Sequence, residues 1–155
     1  MREEFVEKTA DAATLVHKRS YRQIGNLPIV EEISPLLSEY LPYEIGYSSP
    51  VLIGETISKI FFQIIATMEP EGMNRDTTGR RIYIYLDEYI KKGKELNIVA
   101  DILGVSRSKF YEIKSEANDS FAAVLWYKTM EAMVERNVRG TEGDVRSPGS
   151  LVAKA

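Results

Sequence analysis

The chain has no cysteine and only one histidine, His17, among its 155 residues. The absence of cysteine excludes a disulfide framework and any thiolate metal site, and it agrees with a reducing compartment. A single imidazole with no second ligand at metal-binding spacing does not predict a metal centre. We therefore expect neither a metal nor another cofactor.

Long apolar runs are also missing. No uninterrupted run approaches the roughly 18 to 20 residues needed to cross a bilayer. The opening segment MREEFVEKTADAATLVHKRSY carries charges throughout, unlike a signal peptide with its apolar centre. These features predict a soluble cytoplasmic protein without membrane contact.

The residue combinations that support catalysis are scarce as well. Glu31 and Glu32 are adjacent, so on a helix their side chains point in different directions, which is a poor arrangement for paired acid and base catalysis. The glycines of RGTEGDVRSPGS lack the Lys-Ser or Lys-Thr ending of a phosphate-binding loop. Without a visible nucleophile and base pair, we expect a protein that is not an enzyme.

What the chain does contain is helical patterning in the length range of a single domain. Apolar residues recur at helical spacing near the amino terminus, in IVEEISPLLSEYL and most clearly from residue 50 to residue 68, while Pro35 predicts a kink or two short pieces. RRIYIYLDEYIKKG alternates enough to pass for a strand, but no partner strand is evident, so helix is favoured. The predicted fold is an all-α helical bundle.

We predict three parts along the chain. Residues 1–75 form a helical support or assembly module, residues 76–136 form a helix-turn-helix module with a long C-terminal helix, and residues 137–155 form a flexible tail.

The net charge is −3, but it is unevenly distributed. Residues 80–115 hold 8 Lys and Arg against 5 Asp and Glu, a net charge of +3. Residues 1–79 hold 7 Lys and Arg against 12 Asp and Glu, a net charge of −5.

The segment NIVADILGVSRSKFYEIK, residues 97–114, lies in that basic block and predicts two helices joined by a tight turn. Ala100 permits a close approach of the helices, Gly104 can adopt the left-handed conformation of the bend, and Val105 fills the gap between them. Ser106 can cap a second helix whose apolar residues face inward, at Phe110, Ile113 and Ala117. The pattern alone leaves three hypotheses open: a DNA-binding unit, a protein-binding unit or an ordinary corner between helices.

The segment LNIVADILGVSRSKFYEIKSEA resembles the helix-turn-helix of sigma-factor region 4 and of phage late-gene regulators of the ArpU type. The shared pattern is an apolar residue and Ala, then Leu-Gly-Val-Ser, then a second helix. RIYIYLDEYIKKGKE occupies the place of the helix that packs across this pair. The resemblance covers residues 78–126 and implies sequence-specific binding of double-stranded DNA by a transcriptional regulator of a phage, mobile element or bacterium.

The resemblance also implies roles for individual residues. The residues expected to contact base edges are Ser106, Arg107, Ser108, Lys109, Tyr111 and Glu112. Arg107 is the best candidate, because a guanidinium can bond guanine through two hydrogen bonds, and Glu112 can accept from a cytosine amino group. The residues expected to contact phosphate are Arg80, Arg81, Lys91, Lys92, Lys94 and Lys114.

The last helix carries more apolar residues than the small unit needs, namely Trp126, Tyr127, Met130, Met133 and Val134. They either cover the helix of residues 50–68 or form the seam of a homodimer, which DNA binding at two half-sites would require. The alternative function is a helical adaptor that contacts another protein, including a protein of the transcription machinery, in place of DNA.

Overall fold

The computed structural model describes residues 3–72 and 77–146, with side chains up to residue 138. It is all-helical, and no strand occurs in these two ranges. The α-helices are α1 (Glu3–His17), α2 (Tyr21–Ile24), α3 (Ile29–Glu32), α4 (Ser34–Leu37), α5 (Pro50–Thr67), α6 (Thr78–Ile84), α7 (Leu96–Leu103) and α8 (Arg107–Arg146). A 3₁₀ turn spans Ile45–Tyr47, and a π-helical segment, Tyr85–Lys91, continues α6. The all-α prediction is confirmed.

Helix α5 forms the centre of the bundle. It begins with Pro50 in its first turn, and the Ser49 hydroxyl accepts a hydrogen bond from the Leu52 amide at 3.2 Å. Its apolar stripe is buried, and Phe61 packs edge-on against Phe121 of α8 at 4.8 Å between ring centroids. Because half of α5 is buried in this way, its length and apolar composition, which would suffice to cross a membrane, fit a core helix equally well.

The predicted amino-terminal and carboxy-terminal modules share one hydrophobic core. Phe5 of α1 packs edge-on against Trp126 of α8 at 5.0 Å between centroids. The core therefore extends from the first helix to the last, and the position of α8 depends on α1 and α5.

Helices α2 and α5 approach each other closely enough to require glycine. A Cβ atom on Gly54 would lie 1.9 Å from the Tyr21 carbonyl oxygen, and one on Gly25 would lie 1.9 Å from the Pro50 carbonyl oxygen. Both obstacles are backbone atoms, which cannot turn aside as a flexible side chain can. The two glycines allow this part of the bundle to pack backbone against backbone.

The structure settles the form of two segments that the sequence left open, the one around Pro35 and the one that alternates like a strand. The segment around Pro35 forms the two short pieces predicted, α3 and α4, and Pro35 is buried in the first turn of α4. The segment that could have been a strand is α6 followed by the π-helical turn, which the periodicity did not predict. The start of α6 is capped by Thr77, whose hydroxyl accepts from the Arg80 amide at 3.2 Å.

Helix α8 continues to Arg146, well beyond residue 137, where the sequence predicts the start of a flexible tail. Gly140 and Gly143 each cost a helix only about 1 kcal/mol relative to alanine, and no proline occurs between Arg107 and Pro148. The remainder of the predicted tail, residues 147–155, lies outside the described residues.

We predict that Gly54→Ala lowers the free energy of unfolding by about 3 kcal/mol, because the added methyl group meets the Tyr21 carbonyl. Helix propensity alone would favour the substitution by about 1 kcal/mol, so the clash determines the sign. Gly46→Ala is the matched control, since nothing lies within 4 Å of its Cβ position. Urea denaturation followed by circular dichroism measures the free energy of unfolding of each variant. Equal stability of the two variants would contradict the close approach of α2 and α5.

Candidate nucleic-acid interface

The predicted turn between α7 and α8 is present. Helix α7 ends at Gly104, which has the left-handed conformation at φ 69° and ψ 35°. The Gly104 amide donates to the Asp101 carbonyl and the Val105 amide to the Ala100 carbonyl, each at 3.1 Å, so the last carbonyls of α7 are satisfied. Glycine adopts this conformation without the steric penalty of a side chain, as the sequence predicts.

The inner faces of the two helices are anchored in the core. Val99, Ala100, Phe110 and Ile113 are buried, and Phe110 packs edge-on against Tyr85 of the π-helical segment at 5.5 Å between centroids. The predicted inward positions are therefore correct. This anchoring fixes which side of α8 faces solvent over its first two turns.

The residues predicted to contact bases lie on the solvent-facing side of the first two turns of α8. Ser106, Arg107 and Ser108 are exposed, and so are Tyr111 and Glu112. Ser106 also caps the helix, because its hydroxyl accepts from the Lys109 amide at 3.2 Å. The structure therefore brings the predicted base-contacting residues together in the first two turns of α8.

The charges on this surface are only partly balanced within the protein. Lys109 lies 3.7 Å from the Glu112 carboxylate, and both side chains are substantially exposed. Such a surface ion pair contributes about 0 to 1 kcal/mol, so Lys109 can leave it for another anion. The Lys114 ammonium lies 5.9 Å from the centre of the Tyr111 ring. Arg107 makes no ion pair with any described residue.

The residues predicted to contact phosphate fall into two groups. Arg81, Lys91 and Lys114 have no carboxylate partner among the described residues. Arg80 is mostly covered: it lies 3.7 Å from the Glu69 carboxylate and 5.9 Å from the centre of the Tyr83 ring. Its Nε is buried without a hydrogen-bond partner among the described residues, so the guanidinium is covered by the protein but not fully bonded within it.

Lys92 and Lys94 are neutralised by their neighbours. Glu88 accepts hydrogen bonds from Lys92 at 2.8 Å and from Lys94 at 2.5 Å, and Lys92 also lies 3.3 Å from Asp87. Burial alone would raise the pKa of Glu88, but the bonds from the two lysines outweigh it and lower that pKa below its ordinary value. The hydrogen bonds to Glu88 and Asp87 raise the pKa of Lys92. These two lysines have less charge to offer a phosphate than the sequence suggests.

Arg19 is a residue whose importance the sequence did not reveal. It follows α1 in the left-handed conformation, at φ 58°, where glycine is the usual residue. Its guanidinium donates to the Val16 carbonyl at 2.6 Å, to the Ile90 carbonyl at 3.0 Å and to the Lys91 carbonyl. It thereby ties the end of α1 to the end of the π-helical segment, immediately before α7. The only signal in the sequence was an arginine just after a helical pattern, which is too common to be informative.

His17 adds a second contact at the same junction. Its ring stacks on Tyr89 at 3.9 Å between centroids, and its Nδ1 lies 2.6 Å from the Tyr89 carbonyl oxygen, so that nitrogen carries the donating proton. His17 is the last residue of α1 and has a structural role at this junction. No group of residues suited to hold a metal occurs in the described part of the chain.

A surface groove of about 960 Å³ lies at the opposite end of α8 from the turn, where the loop after α4 meets Glu135 and Arg136. Its lining includes three carboxylates, from Glu39, Glu44 and Glu135. Such a surface repels phosphate. The groove does not extend the predicted DNA-contacting surface.

We predict that Arg19→Lys lowers the free energy of unfolding by about 1.5 to 3 kcal/mol, because lysine keeps the charge but cannot bond all three carbonyls. Arg22→Lys, on an exposed position of α2, should change it by less than about 0.5 kcal/mol. Amide hydrogen exchange should show faster exchange in α7 for Arg19→Lys alone. Unchanged exchange in α7 would mean that Arg19 does not hold the junction.

No protein-family model matches this chain, and no curated protein or solved structure matches it significantly.

Proposed function

We propose that this protein is a sequence-specific, double-stranded DNA-binding transcriptional regulator that uses α7 and α8 as a helix-turn-helix. The observation that carries the proposal is the corner at Gly104: two helices with a shared buried face present Ser106, Arg107 and Ser108 at the exposed start of the second helix. In DNA-binding helix-turn-helix units, these positions of the second helix contact base edges in the major groove.

Each exposed side chain suits a particular contact. Arg107 can donate two hydrogen bonds to guanine O6 and N7, and its freedom from ion pairs with described residues leaves both donors available. Glu112 can accept from the cytosine amino group once Lys109 moves from it to a base acceptor such as guanine O6 or N7. The pair of charges would then separate on binding, and each would contact a base.

Phosphate contact falls to the cations that have no carboxylate partner. Arg81, Lys91 and Lys114 are the best suited, while Lys92 and Lys94 are held by Glu88. A protein with few free cations and a net charge of −3 depends on directed base contacts more than on attraction to the backbone.

A homodimer would supply the affinity that one short reading helix lacks. Tyr127, Met133 and Val134 are exposed towards the end of α8, together with Val138, and are candidates for the seam. Trp126 packs on Phe5 and is therefore used within the subunit. The resemblance to phage regulators favours a cytoplasmic setting in a phage, mobile element or bacterium.

The alternative is a helical adaptor that binds a protein, including a component of the transcription machinery. The observation that favours it is apolar exposure on α7, where Ile98 and Ile102 face solvent. The two functions are separated by whether purified protein selects DNA by itself.

We predict that the purified protein enriches particular sequences from a pool of random duplexes, and that Arg107→Ala combined with Lys109→Ala abolishes the enrichment. The charge-matched control is Lys128→Ala combined with Arg136→Ala. Lys128 also forms an i,i+3 ion pair on α8, at 3.8 Å to Glu131, so the control removes two positive charges from the same helix away from its start. Selection followed by sequencing at several salt concentrations gives the result.

Retained enrichment in the control and loss in the Arg107 and Lys109 variant would support reading by the start of α8. Equal loss in both would indicate attraction to charge alone. If the wild-type protein enriches nothing even at low salt, sequence-specific DNA binding is excluded and the adaptor becomes the better hypothesis.

A second prediction follows from the ion pairs. Arg81→Ala and Lys91→Ala should each reduce the slope of log affinity against log salt by about 1, because each removes about one phosphate contact. Lys92→Ala should change the slope much less, since Glu88 and Asp87 already hold that ammonium. Fluorescence anisotropy with the selected duplex measures the slopes. A slope reduction of about 1 for Lys92→Ala as well would show that these carboxylates release the Lys92 ammonium on binding.

A further inference from the structure

Helix α7 has a second apolar face that nothing in the described structure covers. Its inner face buries Val99 and Ala100, yet Ile98 and Ile102 keep 49% and 43% of their surface exposed. Residues four apart on a helix are neighbours, so the two isoleucines form one continuous apolar strip. An amphipathic surface helix normally places polar residues on this side.

Two carboxylates border the strip. Glu95 precedes Ile98 by three residues and Asp101 follows it by three, so each lies beside Ile98 on the helix surface. Both are exposed, and neither forms an ion pair in the part of the chain that the structure describes. An apolar strip with free carboxylates does not suit a phosphate backbone. This face is therefore chemically separate from the start of α8.

The same charges disfavour a second copy of this chain as the occupant. A two-fold interface brings the same patch of both subunits together, so Glu95 and Asp101 would meet the carboxylates of an identical strip. Like charges held together across an interface oppose association. A partner with positive charges around an apolar centre fits the strip instead.

We propose that the outer face of α7 docks a helical segment of another protein, with aliphatic side chains against Ile98 and Ile102 and with Lys or Arg paired to Glu95 and Asp101. The mode is that of an amphipathic helix lying on an apolar surface. The surface contains none of the residues proposed to contact DNA, so the docking does not depend on DNA binding.

The test is selection of a displayed library of random helical peptides on the immobilised full chain. Enriched peptides should carry aliphatic residues at positions i and i+4 with flanking Lys or Arg. The peptide that binds most tightly is then synthesised, and its affinity is measured by calorimetry. It should bind the double variant Ile98→Ser, Ile102→Ser at least about tenfold more weakly than it binds the wild-type chain. Tyr47→Ser, at another exposed position, 83% accessible, should bind it unchanged.

Charge reversal provides an independent check that leaves the isoleucines in place. The double variant Glu95→Lys, Asp101→Lys should no longer bind the selected basic peptide. Binding of that peptide to the wild-type chain should weaken as the salt concentration rises. The proposal is overturned if no peptide depends on Ile98 and Ile102, or if the enriched peptides are acidic. It is also overturned if sedimentation shows a wild-type dimer that the serine variant abolishes, since a second copy would then be the occupant. Random-duplex selection with the serine variant tests DNA binding separately.

Discussion

The arrangement of the bundle around the turn depends on one guanidinium. Arg19 occupies a left-handed position where a non-glycine residue costs about 1 to 2 kcal/mol, and it bonds carbonyls of both α1 and the π-helical segment. A helix end leaves carbonyls without intrahelical partners, and a charged donor with several N–H groups can satisfy more than one of them. The backbone strain at Arg19 is thus offset by contacts that hold the end of the π-helical segment, four residues before α7. With His17 stacked on Tyr89, the junction links the first helix to the proposed DNA-reading unit.

This linkage shows why the amino-terminal residues matter to a site that lies far along the chain. Phe110 fixes the rotation of α8 by packing on Tyr85, and Tyr85 belongs to the same segment whose end Arg19 holds. The exposed start of α8 is therefore oriented by the whole bundle. Ion pairs then decide which cations on this surface are available, because Glu88 engages Lys92 and Lys94 whereas Arg107 remains unpaired among the described residues.

The features that local sequence predicted well are those with local causes. The cap at Ser106, the left-handed Gly104, the break at Pro35 and the buried Phe110 and Ile113 each follow from the residue itself or from helical spacing. The features that sequence did not predict arise from contacts distant along the chain. The bonds of Arg19 to Ile90 and Lys91 span 71 and 72 residues, and the need for Gly54 comes from Tyr21 in another helix. The exposure of Ile98 and Ile102 also depended on which side of α7 the bundle covers.

The most direct measurement of the central claim is an NMR titration of the isotope-labelled full chain with a short duplex of mixed sequence at low salt. If the start of α8 reads DNA, the backbone amides of residues 104–115 should shift most, and those of the loop at residues 40–47 should not move. Shifts confined to that loop, or to the far end of α8 around residues 127–138, would contradict DNA reading by this corner. An unchanged spectrum would contradict DNA binding altogether.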